Sequence, residues 1–490
     1  MTLNRGAQRA MIAVFFFAVA AVYAVAWSLP AIGLDHDDAG YLITAKAIAA
    51  GHGYTIESLP TPIPQTNYPP LFAALLALFT IVSGQTWWLK LLPLACAAGW
   101  LALTRALLLK MGASRNAALL LVGLTAASPT VVFLSTNLLP ETLFALLATA
   151  ALLTLLEERA LLAGILAGLA TLTRTAGVAL VVACIFTLVA RRRFRSAAIF
   201  ASVAMVMVAP WFGWSLAHMT HDSSGLATDI FTSLAANEKL IVLSRNLLSL
   251  LASPFSLLTG LHSVYFVVGT IVILLWCFYV RRQLVPDLFV VLYCMALLCW
   301  ISPPERFIAP ILPLVLWIVW RVLRLMESRE ALAALVLIAI GLPLRADAVR
   351  IFPARANGAF VIEGAPADDW NRMRMFFGFI RANTAPDSVL LANMDGAFFL
   401  NTGRKTIRGV APNGFDLYYA ERRSAATPGE LSKAILMSHV AYVVLTPDSG
   451  LAESASFHKS VEALERGGVV EPVATPGLPR NYQLFKVSAH

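Results

Sequence analysis

The chain has 490 residues, of which 59% are hydrophobic and 13% charged, with a mean hydropathy of +0.74. Soluble domains carry about 25% charged residues, which excludes a soluble globular protein and reads as a polytopic membrane chain. The net charge of +9 follows from a positive-inside bias in such a chain, so no nucleic-acid partner is expected.

The first apolar run, Met11 to Ala31, follows Arg5 and Arg9. Its length of about 20 residues suffices to cross a bilayer, and no Ala-x-Ala-type site follows a short core. We read it as a retained helix. Further runs lie near 89–109, 117–134, 142–156, 161–173, 176–190, 197–213, 263–280, 285–301, 306–324 and 331–348, giving about 11 spans in all. A cytoplasmic N-terminus places fourteen Lys and Arg residues inside, including the block Arg191, Arg192, Arg193 and Arg195. It leaves seven outside, among them Lys90, Arg174 and Arg306. That asymmetry fits the positive-inside rule. Pro69 to Gly84 is short for a crossing, and a full pass would expel the 191–195 block. It is expected to be a re-entrant or surface-lying helix on the outer face, backed by protein or a water-filled cavity. Thr173-Arg174-Thr175 divides Leu161–Ala190 into two spans, with Arg174 at the outer end.

From Asp368 the pattern changes. Trp370 to Ala382 reads as a helix with Asp368 or Asp369 as N-cap. Leu431–Ser438 and Leu451–Arg466 are helical, the latter closed by Gly467-Gly468. Ser388–Ala392, Ala441–Leu445, Val469–Val473 and Tyr482–Val487 read as strands. The expected organisation is a membrane domain over 1–349, whose outer loop 32–69 carries an acidic motif, and a small α/β extracytoplasmic domain over 350–490. The five cysteines all lie in hydrophobic stretches, so neither disulfides nor a cysteine-held metal is expected.

The motif that matters most follows the first span: Asp35-His36-Asp37-Asp38, then Tyr41. Carboxylates are costly beside hydrocarbon, so a cluster of them marks a place where charge is used. Asn67-Tyr68-Pro69-Pro70-Leu71 follows, then Leu139-Pro140-Glu141, Leu172-Thr173-Arg174 and Pro303-Pro304-Glu305-Arg306-Phe307. In the expected topology these polar loops all reach the outer face.

With Asp37-Asp38-x-x-Tyr41, Tyr68-Pro69-Pro70-Leu71 and Leu172-Thr173-Arg174, the chain resembles the polytopic, lipid-sugar-using glycosyltransferases of the C-type (GT-C) fold. It is most similar to the branch of protein O-mannosyltransferases and aminoarabinose lipid A transferases, glycosyltransferase family 39/83-like. The resemblance covers the membrane part and, more loosely, the tail with Asn401-Thr402-Gly403-Arg404. It implies an outer-face site that takes a polyprenyl-phosphate-linked sugar. The family's acidic pair falls on Asp37 and Asp38, its second acidic position on Glu141, and its basic residue between spans on Arg174. Where the aminoarabinose transferases place Glu-Lys before the proline pair, this chain has Asn67-Tyr68.

Transfer from a lipid phosphate needs a base for the acceptor hydroxyl, positive charge for the departing phosphate and a groove for the lipid. Asp37 is the expected base: a carboxylate near a low-dielectric boundary and beside a second one has a raised pKa, which suits general-base work and inversion by direct attack. Asp38 orients the acceptor or caps the following helix. Arg174, Arg306 and Lys90 are the candidates for the donor phosphate, because a guanidinium offers a planar donor fork. The bland reading of Arg174 is snorkelling to headgroups, and that of Arg306 a local pair with Glu305. Glu141 serves as second acid, as a metal ligand, or only as a negative charge favourable at the N-terminus of its helix. Tyr41 and Tyr68 are expected against substrate. No metal and no cofactor is expected, since His36 and His52 lack ligand spacing. The expected partners are a polyprenyl-phosphate sugar donor, a lipid, glycan or protein acceptor, and membrane lipids of the cell (inner) membrane. Two rivals are a flippase for lipid-linked saccharides, which would place ionisable residues at the midplane, and a non-catalytic anchor for a sensor domain.

Overall fold

A computed structural model describes residues 5–218, 231–259, 269–272, 274–276, 284–302, 304–324, 329–360, 370–409, 427–447 and 452–488. The expected span at 263–280 lies mostly outside these residues; Arg281, Arg282, Asp368 and Asp369 lie wholly outside.

The helices of the first two-thirds are α1 (Arg5–Ser28), α2 (Asp37–Ala49), α3 (Pro70–Val82), α4 (Thr86–Leu89), α5 (Leu91–Lys110), α6 (Arg115–Ala126), α7 (Pro129–Thr136), α8 (Glu141–Leu156), α9 (Ala160–Thr171), α10 (Gly177–Ala190), α11 (Phe194–His218), α12 (Ala236–Thr259), α13 (Leu284–Leu298), α14 (Glu305–Ile308), α15 (Leu312–Leu323) and α16 (Arg329–Asn357). A two-residue ladder, β1 (Thr55–Ile56) with β2 (Ile63–Pro64), closes the loop after α2. The tail runs α17 (Trp370–Asn383), β3 (Val389–Leu391), α18 (Asp395–Thr402), β4 (Thr406–Ile407), α19 (Pro428–Met437), β5 (Val440–Leu445), α20 (Ala452–Arg466), β6 (Val470–Val473) and β7 (Gln483–Val487).

Among the described residues, Thr86–Lys110, Phe194–His218 and Glu305–Leu323 are long and apolar enough to cross a membrane alone, and six shorter apolar helices accompany them. Length and composition thus license three spans, or four with α6 and α7 taken as one broken span; the expectation of about 11 also counts the shorter helices as crossings. The run expected as one span at 117–134 is bent by 65° between α6 and α7. The cause is local. Ser128 precedes a proline and is extended (φ −64°, ψ 125°), and Pro129 starts the next helix, as the steric restriction before proline and its fixed φ dictate.

The chain forms two compact units. The first holds Met1–Ser28, Asn67–Phe72 and Lys90–Phe352; the second holds Leu29–Thr66, Ala73–Leu89 and Pro353–His490.

In the first unit, helices approach closely through small residues, as packing in a lipid environment requires. A Cβ added at Gly164 would lie 2.8 Å from the Phe200 carbonyl oxygen, and one at Gly168 would lie 2.7 Å from the Met207 Cβ. The Gly-x-x-x-Gly face of α9 therefore seats directly on α11. At the next turn Gly177 abuts Thr171, which folds α10 back against the end of α9.

The second unit contains a five-stranded sheet in the order β4-β3-β5-β7-β6, with β4, β3 and β5 parallel and β7 and β6 antiparallel. Alternate residues point to opposite faces of a strand, and both faces are covered here. Leu390, Val444 and Leu484 join a core with Trp370, Phe376, Phe377 and Phe398 of α17 and α18. Leu391, Val443 and Phe485 join another with Leu431, Ile435, Phe457 and Val461 of α19 and α20. α19 opens with a capping box, Thr427 and Glu430 each accepting from the other's backbone N–H. Ala31 and Leu34, just ahead of the acidic motif, belong to the first of these cores.

Candidate functional site

A basic cluster is built within the first unit. Glu141 begins α8 and is 1% exposed. Arg174 sits in the break between α9 and α10, and its Nη1 donates to Glu141 Oε1 at 2.6 Å. Arg306, on α14, brings its Nε to 3.5 Å from the same oxygen. Both guanidiniums also lie over the ring of Phe307, with Cζ 4.6 Å and 4.8 Å from the centroid for Arg174 and Arg306, an electrostatically favourable placement. One carboxylate and two guanidiniums leave a net charge of +1.

Aromatic and hydrogen-bonded neighbours surround this cluster. Phe144, one turn after Glu141 on α8, stacks on Tyr293 of α13 at 5.8 Å. The Tyr293 hydroxyl donates to the Phe307 carbonyl at 2.8 Å, and Trp300 meets the Phe307 ring edge-on at 5.5 Å. α12 supports the connecting segment. Asn246 donates to the carbonyls of Leu297, Leu298 and Trp300, which satisfies the open end of α13. Three residues on, the Ser249 hydroxyl donates to Glu305. The local Glu305–Arg306 pair weighed from the sequence is thus replaced: Glu305 takes a serine, and Arg306 reaches Glu141. The motifs of Tyr68-Pro69-Pro70-Leu71 and Leu172-Thr173-Arg174 also meet, since the Leu71 N–H donates to the Leu172 carbonyl at 3.0 Å. Tyr68 is half-buried there. Lys90 is buried at the start of α5, while the ion pairs of the cluster run through Glu141, Arg174 and Arg306.

The acidic motif belongs to the second unit. Asp38 is 3% exposed. Its Oδ2 accepts the Gly33 N–H at 2.6 Å, and its Oδ1 accepts those of Ala39 at 2.8 Å and Asp35 at 3.2 Å. Burial raises its carboxyl pKa above the ordinary value, against the opposing pull of these three amides. Asp38 therefore staples the loop. Asp37, half-buried at the first position of α2, is the neighbouring carboxylate not taken into that staple. Helix α2 begins at Asp37, and the residue preceding it is His36, with φ 53°; a non-glycine residue there is uncommon. Tyr41 is buried one turn into the helix. In the tail, Arg404 makes no surface display. Its guanidinium donates to the Thr384 hydroxyl and to the carbonyls of Thr384, Arg381 and Thr402, and so locks α17 to the turn after α18.

Sequence reasoning selected Glu141, Arg174 and Arg306 one by one but missed Phe307, Asn246 and Ser249. Phe307 alone had a readable signal, an aromatic residue directly after a candidate arginine.

Residues 66–303 match the model of glycosyltransferase family 87. The matched stretch contains Tyr68, Lys90, Glu141 and Arg174. The fold matches crystal structures of ArnT from Cupriavidus metallidurans. The form bound to undecaprenyl phosphate aligns with TM-score 0.58 at 13% identity, covering 97% of this chain and 98% of ArnT. The apo form aligns with TM-score 0.55 at 12% identity, covering 98% of each. The chain is a membrane glycosyltransferase of the C-type fold. No curated protein sequence matches it. The motifs pointed to the 39/83-like branch, whereas the matching model is that of family 87; the fold is the same.

Proposed function

We propose that this glycosyltransferase takes its sugar from a polyprenyl-phosphate carrier and passes it to an acceptor on the extracytoplasmic side of the cell membrane. The observation that carries the reading is the Glu141–Arg174–Arg306 cluster on Phe307. Two guanidiniums gathered on one buried carboxylate concentrate positive charge of the kind that recognises a lipid phosphate. That the similarly folded ArnT was crystallised with undecaprenyl phosphate supports the same class of carrier here.

In the proposed reaction an acceptor hydroxyl oxygen attacks the anomeric carbon. The bond from that carbon to the phosphate oxygen breaks, and its electron pair leaves with the lipid phosphate. Arg174 and Arg306 stabilise this leaving group electrostatically. Asp37 takes the hydroxyl proton, and the anomeric centre inverts. Glu141 fixes the arginines, and Asp38 fixes the loop on which Asp37 stands. Tyr41 supports the first turns of α2, and Lys90 and Tyr68 are the further candidates for contact with the donor. The N-terminus is cytoplasmic in this reading.

The test is direct binding of undecaprenyl phosphate to the purified full chain in lipid nanodiscs. Arg174→Ala and Arg306→Ala should each weaken binding by about ten- to a hundredfold, the value of a lost charged hydrogen bond. Asp37→Asn should bind normally and transfer nothing. Unchanged binding in both arginine variants would remove the phosphate assignment; transfer by Asp37→Asn would remove the base.

A further inference from the structure

We propose that α18 is the positioning element for the acidic loop, and that Gly396 is the residue through which it acts. This inference rests on the reading of Asp37 as base. The tail of the chain is then the frame on which the base-bearing loop is assembled.

Three observations within the second unit converge. First, the loop lies on α18 at backbone distance. A Cβ at Gly396 would lie 2.5 Å from the Cβ of Ala39, and one at Gly33 would lie 2.9 Å from Cα and Cβ of Ala397. Gly33 also has φ +93°, a conformation that favours glycine. Second, Gly33 and Ala39 supply two of the three amides that grip Asp38. The residues that touch α18 are thus the residues that define the staple. Asp395, at the start of α18, sits 3.7 Å from His36 between them. Third, the far end of the same loop is fastened to the residues that follow α18. The Lys405 ammonium donates to the Glu57 carbonyl, and the Thr406 N–H donates to the Ser58 carbonyl at 2.8 Å.

The frame itself is stiff. Phe398 of α18 packs edge-on against Phe376 and Phe377 of α17 at 6.1 Å and 5.1 Å, and Arg404 ties the end of α18 to α17. A shift of α2 away from α18 therefore has to come from the loop side. Asp37 is the first residue of α2 and Ala39 the third, so displacement at Ala39 carries the base with it. Errors of about 1 Å in such a group cost up to about a hundredfold in rate.

The experiment uses the full chain in nanodiscs with a polyprenyl-phosphate sugar donor. Gly396→Ala should lower kcat by about ten- to a hundredfold while the KM for donor and the affinity for undecaprenyl phosphate stay within about twofold. It should also speed amide hydrogen exchange at Gly33, Asp35 and Ala39. The size swap Ala39→Gly with Gly396→Ala should recover most of the lost kcat, a rescue that general loss of stability would not give. Parent-like kcat in Gly396→Ala, or a double variant no better than the single, overturns the proposal. Should Gly396→Ala not fold, Ala397→Gly opens the contact instead of crowding it; unchanged exchange at Gly33 in that variant overturns the proposal too. Exchange is read without turnover, so a failure of Asp37 as base and a failure of α18 as frame give different results.

Discussion

Asp37 and Asp38 are adjacent and identical in chemistry, and the proposed reaction gives them opposite uses. The carboxylate of Asp38 meets three amide donors and is consumed by the loop; in the proposed reaction the chemistry falls to its neighbour. An asparagine at position 38 can offer its oxygen to Ala39 and Asp35 or to Gly33, but not to both sides at once, because the nitrogen is then a donor facing a donor. Asp38→Asn should therefore loosen the loop by about 1–3 kcal/mol. The expected readout is slower transfer, but above that of Asp37→Asn, with normal binding of undecaprenyl phosphate. Parent-like transfer would show that the staple is dispensable. The same contrast marks what could be read from residues alone. The acidic cluster is conspicuous in the sequence because carboxylates rarely border an apolar span. Which of its members is spent on backbone amides depends on Gly33, five residues back, and on a turn that no local pattern encodes.

At the scale of elements, α9 matters because its last turn runs into Arg174. Its Gly164 and Gly168 set α9 against Phe200 and Met207 of α11, so the position of the arginine follows from how closely two backbones approach. Gly168→Val should force these helices apart, costing about 1–3 kcal/mol as an overpacked contact. It should lower the thermal unfolding midpoint in detergent and weaken undecaprenyl phosphate binding together. A variant that melts earlier but binds normally would uncouple the two. Elements with strong periodicity were legible: β5, β6 and β7, α17 and α20 fall within a few residues of their expected places, because alternation and amphipathicity extend over enough positions to register. The break at Arg174 was legible as well, since a guanidinium is costly in the middle of a span and so marks the end of one. β4 has two residues and α18 eight, too few for either signal, yet α18 is the element to which the acidic loop is attached. The bend between α6 and α7 was hidden in a continuous apolar run, where Ser128-Pro129 was its only mark.

For the whole molecule, segments distant in sequence make up each unit. The first outer loop, expected as part of the membrane domain, is grouped by compactness with residues 353–490; long-range pairing of this kind leaves no trace in local composition. The physiological outcome of the proposed reaction is a sugar added to an envelope component. Deleting the gene should remove one glycosyl residue from the cell's glycolipids, glycans or proteins by mass analysis, and re-expression of the parent, but not of Asp37→Asn, should restore it. An envelope of unchanged composition under conditions of expression would count against the donor and acceptor sides of the proposal alike.

The attachment of the loop at Glu57 and Ser58 to Lys405 and Thr406 also sets a clock on biosynthesis. Roughly 350 residues separate the partners, and a ribosome needs about 20–70 s to make them. Through that interval the loop lacks those two anchors, so on the proposed reading a nascent or prematurely terminated chain would carry Asp37 without its frame. On that reading sugar transfer is expected only from the finished polypeptide.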